Sequence, residues 1–187
     1  MECTKATITE QYQPQKNNYK TETQLTDRTN YIVYYKSPIG FLKLIEEDGY
    51  LTMASFMDEQ KNEPITETRL LQQALQQLDD YFAGKRKQFD LTLRPAGTTF
   101  QQRVWAQLLQ IPFGVTITYM HMAKRLQNTK AIRAAASANG KNPLAIIIPC
   151  HRVVGTNGKL TGYAGGLHRK QWLLEHEAKF GGNKTMF

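Results

Sequence analysis

Cysteine is nearly absent from this 187-residue chain, which carries only Cys3 and Cys150. Two thiols, one in a polar stretch and one in an apolar stretch, make no disulfide framework, so the expected setting is a reducing cytoplasmic interior where a thiol stays free. Long hydrophobic runs are missing as well, and no charged-then-apolar leader is visible, so neither membrane insertion nor export is expected. The four histidines lie far apart without paired cysteines, and their spacing yields no metal site. Acidic residues are scarce in one half only: from Thr98 onward twelve Lys and Arg face two Asp and Glu, whereas the part before it holds twelve and fourteen. The formal charge of +8 therefore lies entirely in the second half. A field concentrated in this way suits a polyanionic partner, of which a phosphate backbone is the commonest.

What the chain does contain divides into three parts. Residues 1–28 are rich in Gln, Thr, Lys, Asn and Glu without apolar periodicity, and read as a flexible extension. Residues 29–97 begin with three aromatic and β-branched runs, Tyr31–Tyr35, Gly40–Ile45 and Tyr50–Phe56, separated by turn signals at Ser37-Pro38 and Asp48-Gly49. These predict an antiparallel meander. Leu70, Leu71, Ala74, Leu75, Leu78, Tyr81 and Phe82 follow at helical spacing up to Gly84 and predict one helix packed on that sheet, its stripe serving as core. Lys85-Arg86-Lys87 then complements the helix C-terminus.

Residues 98–187 change character. Thr98 or Thr99 can cap a helix with Val104, Trp105, Leu108 and Leu109 inward, and Pro112-Phe113-Gly114 stops it. Thr118 can cap a short helix through Arg125, and Thr129 another from Lys130 to about Asn139; the pair has the outline of a helix-turn-helix. The second helix, Ala131–Ala138, has almost no bulk beyond Arg133, which suits either tight packing or entry into a narrow minor groove. A last helix from His168 to about Ala178 turns Trp172, Leu173 and His176 inward, with Glu177 at its end. The expected fold is therefore α/β of the α+β kind: a small sheet with a packed helix, then a mostly helical part.

Pro149-Cys150-His151-Arg152 follows the apolar run Leu144–Ile148 and sets a soft nucleophile beside a base. A thiol in apolar surroundings is commonly an inert hydrophobe, but the basic pair after it can favour thiolate. Adjacent residues in extended chain point oppositely, so a water bridge between Cys150 and His151 is expected rather than a direct contact. The glycines of Gly155-Thr156-Asn157-Gly158 and Gly162-Tyr163-Ala164-Gly165-Gly166 would let a flat ligand approach the backbone, with Tyr163 as an aromatic wall.

The run Ile148–Val154, then Gly162–Leu167 and Trp172–Glu177, resembles the signature of the O6-alkylguanine-DNA alkyltransferases over roughly residues 98–180. The resemblance implies a ribonuclease-H-like N-terminal part and a winged helix-turn-helix-like C-terminal part. It implies single-use transfer of an alkyl group from O6-alkylguanine to Cys150, with alkylated double-stranded DNA as partner and no cofactor, and leaves O4-alkylthymine open as a second substrate. His151 would act on Cys150 through water, Glu177 would orient the imidazole, Asn142 would order the cysteine turn, and Tyr119 would donate to the guanine. Arg133 would fill the gap left by an extruded base, with Asn128, Lys130, Ala134, Ser137, Thr156 and Tyr119 also facing DNA. Val153, Tyr163, Ala164 and Gly165 would frame the base. The zinc that some relatives carry has no ligand set here. A working monomer completes the expectation, with cooperative packing along DNA left open by the sequence. Ala164 departs from relatives with Ser at that position, which bears on how bulky an adduct fits.

Three alternatives differ in class. A recognition-only protein of the alkyltransferase-like kind typically lacks the thiol that Cys150 provides. A transcriptional sensor needs a second methyl-accepting module with its own cysteines. A Cys-His hydrolase would turn over repeatedly, without DNA, and needs an oxyanion motif that is not evident.

Overall fold

A computed structural model describes residues 30–181 of the chain. The extension expected over residues 1–28, Cys3 included, lies outside the described residues, as do residues 182–187.

Strands β1 (Tyr31–Ser37), β2 (Gly40–Glu47) and β3 (Tyr50–Met57) form the predicted antiparallel meander in the order β1-β2-β3. Alternation makes one face the core: Leu42 and Leu44 of β2 are fully buried, and Val33, Leu51 and Ala54 lie beside them. Asp48 and Gly49 both take positive φ, at 52° and 77°, the conformation that a two-residue turn needs to match strand twist. Glu46 also points inward, where the Thr68 hydroxyl donates to its carboxylate. Thr68 in turn accepts from Leu71 N at 3.1 Å, so one residue pairs a buried acid and caps helix α1 (Arg69–Phe82). The α1 stripe of Leu71, Ala74, Leu78 and Tyr81 is wholly buried on the sheet.

The free side of β3 is closed at two points: Leu51 bridges Leu93, and Ala54 bridges Leu144 of the second half, the residue that opens the turn before Cys150. The apolar cores of the two halves are consequently continuous.

Helix α2 (Thr99–Leu109) starts at a full capping box, Thr98 with Gln101, and buries Val104, Trp105 and Leu108. Trp105 is 1% exposed, and its indole N–H donates to Ala138 O at 2.9 Å, fixing α2 against the helix-turn-helix. Two-residue strands β4 (Ile117–Thr118) and β5 (Val153–Val154) pair in parallel, a link no periodicity announces. Thr118 caps α3 (Tyr119–Arg125) as expected. Thr129, in contrast, caps nothing: Thr129–Ala131 is a 3-10 turn, and α4 begins later, at Ile132–Gly140. The reason is the connection, where Gln127 takes φ 56° and Asn128 takes a non-helical geometry, so the chain tightens before the helix proper. Helix α5 (Leu167–Gly181) starts one residue before and ends three residues beyond the stretch expected from its pattern.

Candidate active site

Cys150 sits on a turn that one amide side chain braces in addition to its backbone bonds, among them Ile148 N to Leu144 O at 2.9 Å and Cys150 N to Ile148 O at 2.8 Å. Asn142 Nδ2 donates to Ile148 O at 2.8 Å and to Cys150 Sγ at 3.1 Å, while Asn142 Oδ1 accepts from Leu144 N at 3.0 Å. Inside that turn Ile146 holds φ +69°, a costly geometry for a β-branched residue that persists because both flanks are fixed. Cys150–Arg152 is a 3-10 turn, not the extended chain assumed from sequence, because Arg152 N closes onto Pro149 O at 3.1 Å. Asn139 Nδ2, from α4, holds Cys150 O at 3.3 Å. The turn still sends the thiol and the imidazole to different partners.

His151 is fully buried, with Nε2 2.8 Å from Glu177 Oε1; its Nδ1 is buried with no hydrogen-bond partner among the described residues. Glu177, 1% exposed, is a hub of donors. Its Oε1 also takes Tyr81 Oη at 2.9 Å and an Arg152 terminal nitrogen at 2.8 Å, while Oε2 takes Arg152 Nε at 2.8 Å and Gly114 N at 2.9 Å. Burial pushes this carboxyl up, but His151 and then Arg152 outweigh it and hold it well below the usual carboxylate range. For His151, burial pushes the pKa down and Glu177 only partly restores it, so the ring rests neutral and able to accept a proton.

Arg152 therefore does not serve the thiol as its position in the sequence suggests, since its charge is spent on Glu177 and on Ile111 O. The cation that lowers the thiol pKa is Lys170. Its side chain is fully buried in α5, and Nζ donates to Val153 O at 2.6 Å and Thr161 O at 2.9 Å. Burial pushes Lys170 down to about 8, countered by Cys150, and the carbonyl acceptors favour the ammonium at neutral pH. Burial in turn raises Cys150 above the ordinary thiol value, with the Asn142 hydrogen bond and then Lys170 pulling it back without cancelling the rise. At rest the group is a thiol that needs a base to activate it.

Tyr119 and Tyr163 both stand near the thiol, close enough that a thiolate would raise their pKa values beyond what burial does. Tyr163 Oη is buried with no hydrogen-bond partner among the described residues. Val153 is buried in β5, Ala164 is exposed and Gly165 half-buried. Gly165 has a reason beyond ligand approach: a Cβ there would lie 2.7 Å from the Phe56 ring and 3.0 Å from Tyr163. The loop is thus seated on β3, and Arg169 clamps it, with Nε on Ile39 O at 2.8 Å and a terminal nitrogen on Gly165 O at 2.9 Å.

On α4, Arg133, Ala134 and Ser137 are exposed together while Ala135 and Ala138 face inward, so the slim face is an outer one. Asn128, Lys130 and Thr156 are exposed as well. The expected residues therefore form two groups: Cys150, His151, Glu177 and Asn142 in one buried constellation, and the α4 face with its neighbours on the surface. Sequence reading missed Lys170, Asn139 and Tyr81 as members of the buried group. Lys170 follows His168-Arg169 and reads as a solvated charge, and Tyr81 reads as one more core position.

A buried thiol, imidazole and carboxylate joined to an exposed basic helix-turn-helix define a class: a nucleic-acid-binding protein that carries its own nucleophile. Comparison with known proteins narrows it. Residues 30–95 match the family model "6-O-methylguanine DNA methyltransferase, ribonuclease-like domain", and residues 99–179 match "6-O-methylguanine DNA methyltransferase, DNA binding domain". The chain belongs to the 6-O-methylguanine DNA methyltransferase family. It is 45% identical over 152 residues to the methylated-DNA--protein-cysteine methyltransferase of Methanosarcina acetivorans, covering 79% of this chain and 97% of that one. It is 46% identical over 154 residues to the protein of that name from Mycobacterium tuberculosis, covering 78% and 93%. A crystal structure of the M. tuberculosis O6-methylguanine methyltransferase superposes with TM-score 0.73 at 44% identity, covering 81% of this chain and 94% of that one. The structure of the M. tuberculosis protein in complex with DNA gives TM-score 0.73 at 44% identity, covering 80% and 94%.

Proposed function

We propose that this protein repairs O6-alkylguanine in double-stranded DNA by moving the alkyl group irreversibly onto its own Cys150. The observation that carries this reading is the buried Asn142–Cys150 and His151–Glu177 arrangement, set beside an exposed helix face whose one large side chain is Arg133.

An alkyl group on a guanine edge within a duplex is out of reach of a buried sulfur, so the nucleotide has to leave the stack. Arg133, planar and charged, fills the gap from the minor groove, while Asn128, Lys130, Ala134, Ser137 and Thr156 meet the backbone around it. The extruded base lies against Tyr163, whose hydroxyl is free for it, and the backbone of Val153, Ala164 and Gly165 reads its polar edge. His151 takes the Cys150 proton through a water at Nδ1, the nitrogen that Glu177 leaves open. Sulfur then attacks the alkyl carbon: the S–C bond forms, the C–O6 bond breaks, and its electron pair goes to the guanine oxygen. Tyr119 donates a hydrogen bond to the departing base, and guanine ends with the proton that balances the one lost by sulfur. No cofactor enters, because the lesion supplies the alkyl group.

A thioether is too poor an electrophile for any residue here to reverse the step, so each molecule acts once. With lesion DNA in excess, the amount repaired should equal the amount of protein; repair continuing beyond one equivalent would favour a hydrolase. The working species is a monomer of two domains, residues 29–97 and 98–187, acting in the cytoplasm, nucleoid-associated in a bacterium or nuclear in a eukaryote. Among the described residues, no helix is long and apolar enough to cross a membrane.

A further inference from the structure

The N-terminal half enters the catalytic constellation at one atom. Tyr81, on the last turn of α1, is fully buried, and its Oη donates at 2.9 Å to Glu177 Oε1, the oxygen that faces His151 Nε2 at 2.8 Å. The direction of that bond is fixed, because a carboxylate can only accept. The ring is fixed too, packed against Phe82, Phe89, Phe113 and His176 at centroid distances of 5.2 to 5.9 Å. His176 Nε2 lies 2.8 Å from the Tyr81 carbonyl, which ties the end of α1 to α5 one residue before Glu177. Burial and then the Glu177 charge push the phenol well above its ordinary pKa, so it stays a donor at every working pH.

We propose that Tyr81 is a positioning residue for alkyl transfer, its hydroxyl holding Glu177 Oε1 in the orientation and charge balance that His151 needs. When His151 takes the thiol proton, the new imidazolium leans on Oε1. A donor already on that oxygen withdraws charge from it and keeps His151 from holding its proton too tightly. The other groups acting on the pair are Arg152 and Gly114 N on the carboxylate, Arg152 and Lys170 on the imidazole, and His176 and Tyr163, which both feel the Glu177 charge. Among the described residues only Tyr81 brings a side chain from before Thr98 to this carboxylate. The second half of the chain therefore depends on the first for the tuning of its base.

The inference rests on the proposed transfer to Cys150, and its test separates the two. Single-turnover transfer from a duplex containing O6-methylguanine is followed against pH for the unsubstituted protein and for Tyr81→Phe, with unfolding midpoint and lesion-duplex affinity measured alongside. Removing the hydroxyl should move the acid limb of the rate profile up by roughly one pH unit, the size of a lost hydrogen bond to a charged group, and slow transfer by about threefold or less near neutrality and about tenfold on the limb itself. DNA affinity should stay within about twofold, since Tyr81 is fully buried and has no surface to offer DNA. An unmoved limb in a folded variant overturns the proposal and leaves Tyr81 a core residue. If Tyr81→Phe does not fold, 3-fluorotyrosine at position 81 keeps the shape and strengthens the donor, so the limb should move down; no movement, or movement upward, is equally fatal. Absence of transfer by the unsubstituted protein would instead overturn the functional reading beneath it.

Discussion

Glu177→Gln should be the most damaging conservative change in the molecule, lowering stability by about 3–5 kcal/mol and transfer by roughly a hundredfold or more. The carboxylate is 1% exposed and Arg152 is 6% exposed, so the substitution strands a guanidinium in the interior. It also turns one of the two acceptor oxygens into an amide donor, and with that group toward His151 the ring is held in the wrong tautomer. The stability loss carries a pH signature. Glu177 is held below the usual carboxylate range, so its contribution is fully present above the unfolded value of about 4.3 and fades as pH falls through the folded value. Denaturant titrations should therefore show the gap between the two proteins narrowing from roughly pH 5 downward. A constant gap would mean that Glu177 contributes shape rather than charge.

Arg133→Ala should separate the two tasks of the protein. Arg133 is exposed and lies outside the buried constellation, so the reaction of Cys150 with a free alkylated base should be nearly unchanged. Repair within a duplex should fall about a hundredfold, because the unstacking cost of a few kcal/mol would no longer be offset by a side chain filling the gap. Single-turnover rates on both substrates decide the matter. Equal losses on both would remove the base-extrusion role and make Arg133 a structural residue.

What could be read from the chain and what could not follow from how far apart the determining partners are. Thr98 and Thr118 act on amides three residues away, so their caps were visible in the local pattern. Thr129 fails for a local reason too, the left-handed Gln127 that tightens the entry to α4, but nothing in its residue type announces that conformation. The meander and the α1 stripe were legible because alternation and helical spacing report which face is buried. The donor network around Glu177 was not, since Tyr81 is 96 positions away and Gly114 is 63. Lys170 was missed for the same reason. A lysine on a surface-looking helix becomes a buried cation only because Val153 and Thr161 bring their carbonyls to it. The assignment of positive charge to Arg152 shows the converse: sequence adjacency to Cys150 mattered less than the reach of its side chain toward Glu177. The resemblance of Ile148–Val154 to a family signature named the thiol and the imidazole, while the groups that set their proton affinities became visible only in three dimensions.

The central claim is that Cys150 is the alkyl acceptor, and intact-protein mass tests it most directly. Protein is incubated with a duplex carrying one O6-methylguanine, in parallel with Cys150→Ser, and the mass of each is measured before and after. The account predicts a single methyl-sized gain that maps to Cys150 and is absent in the variant. Tight binding of the lesion without any gain in mass, or a gain at another residue, would contradict it.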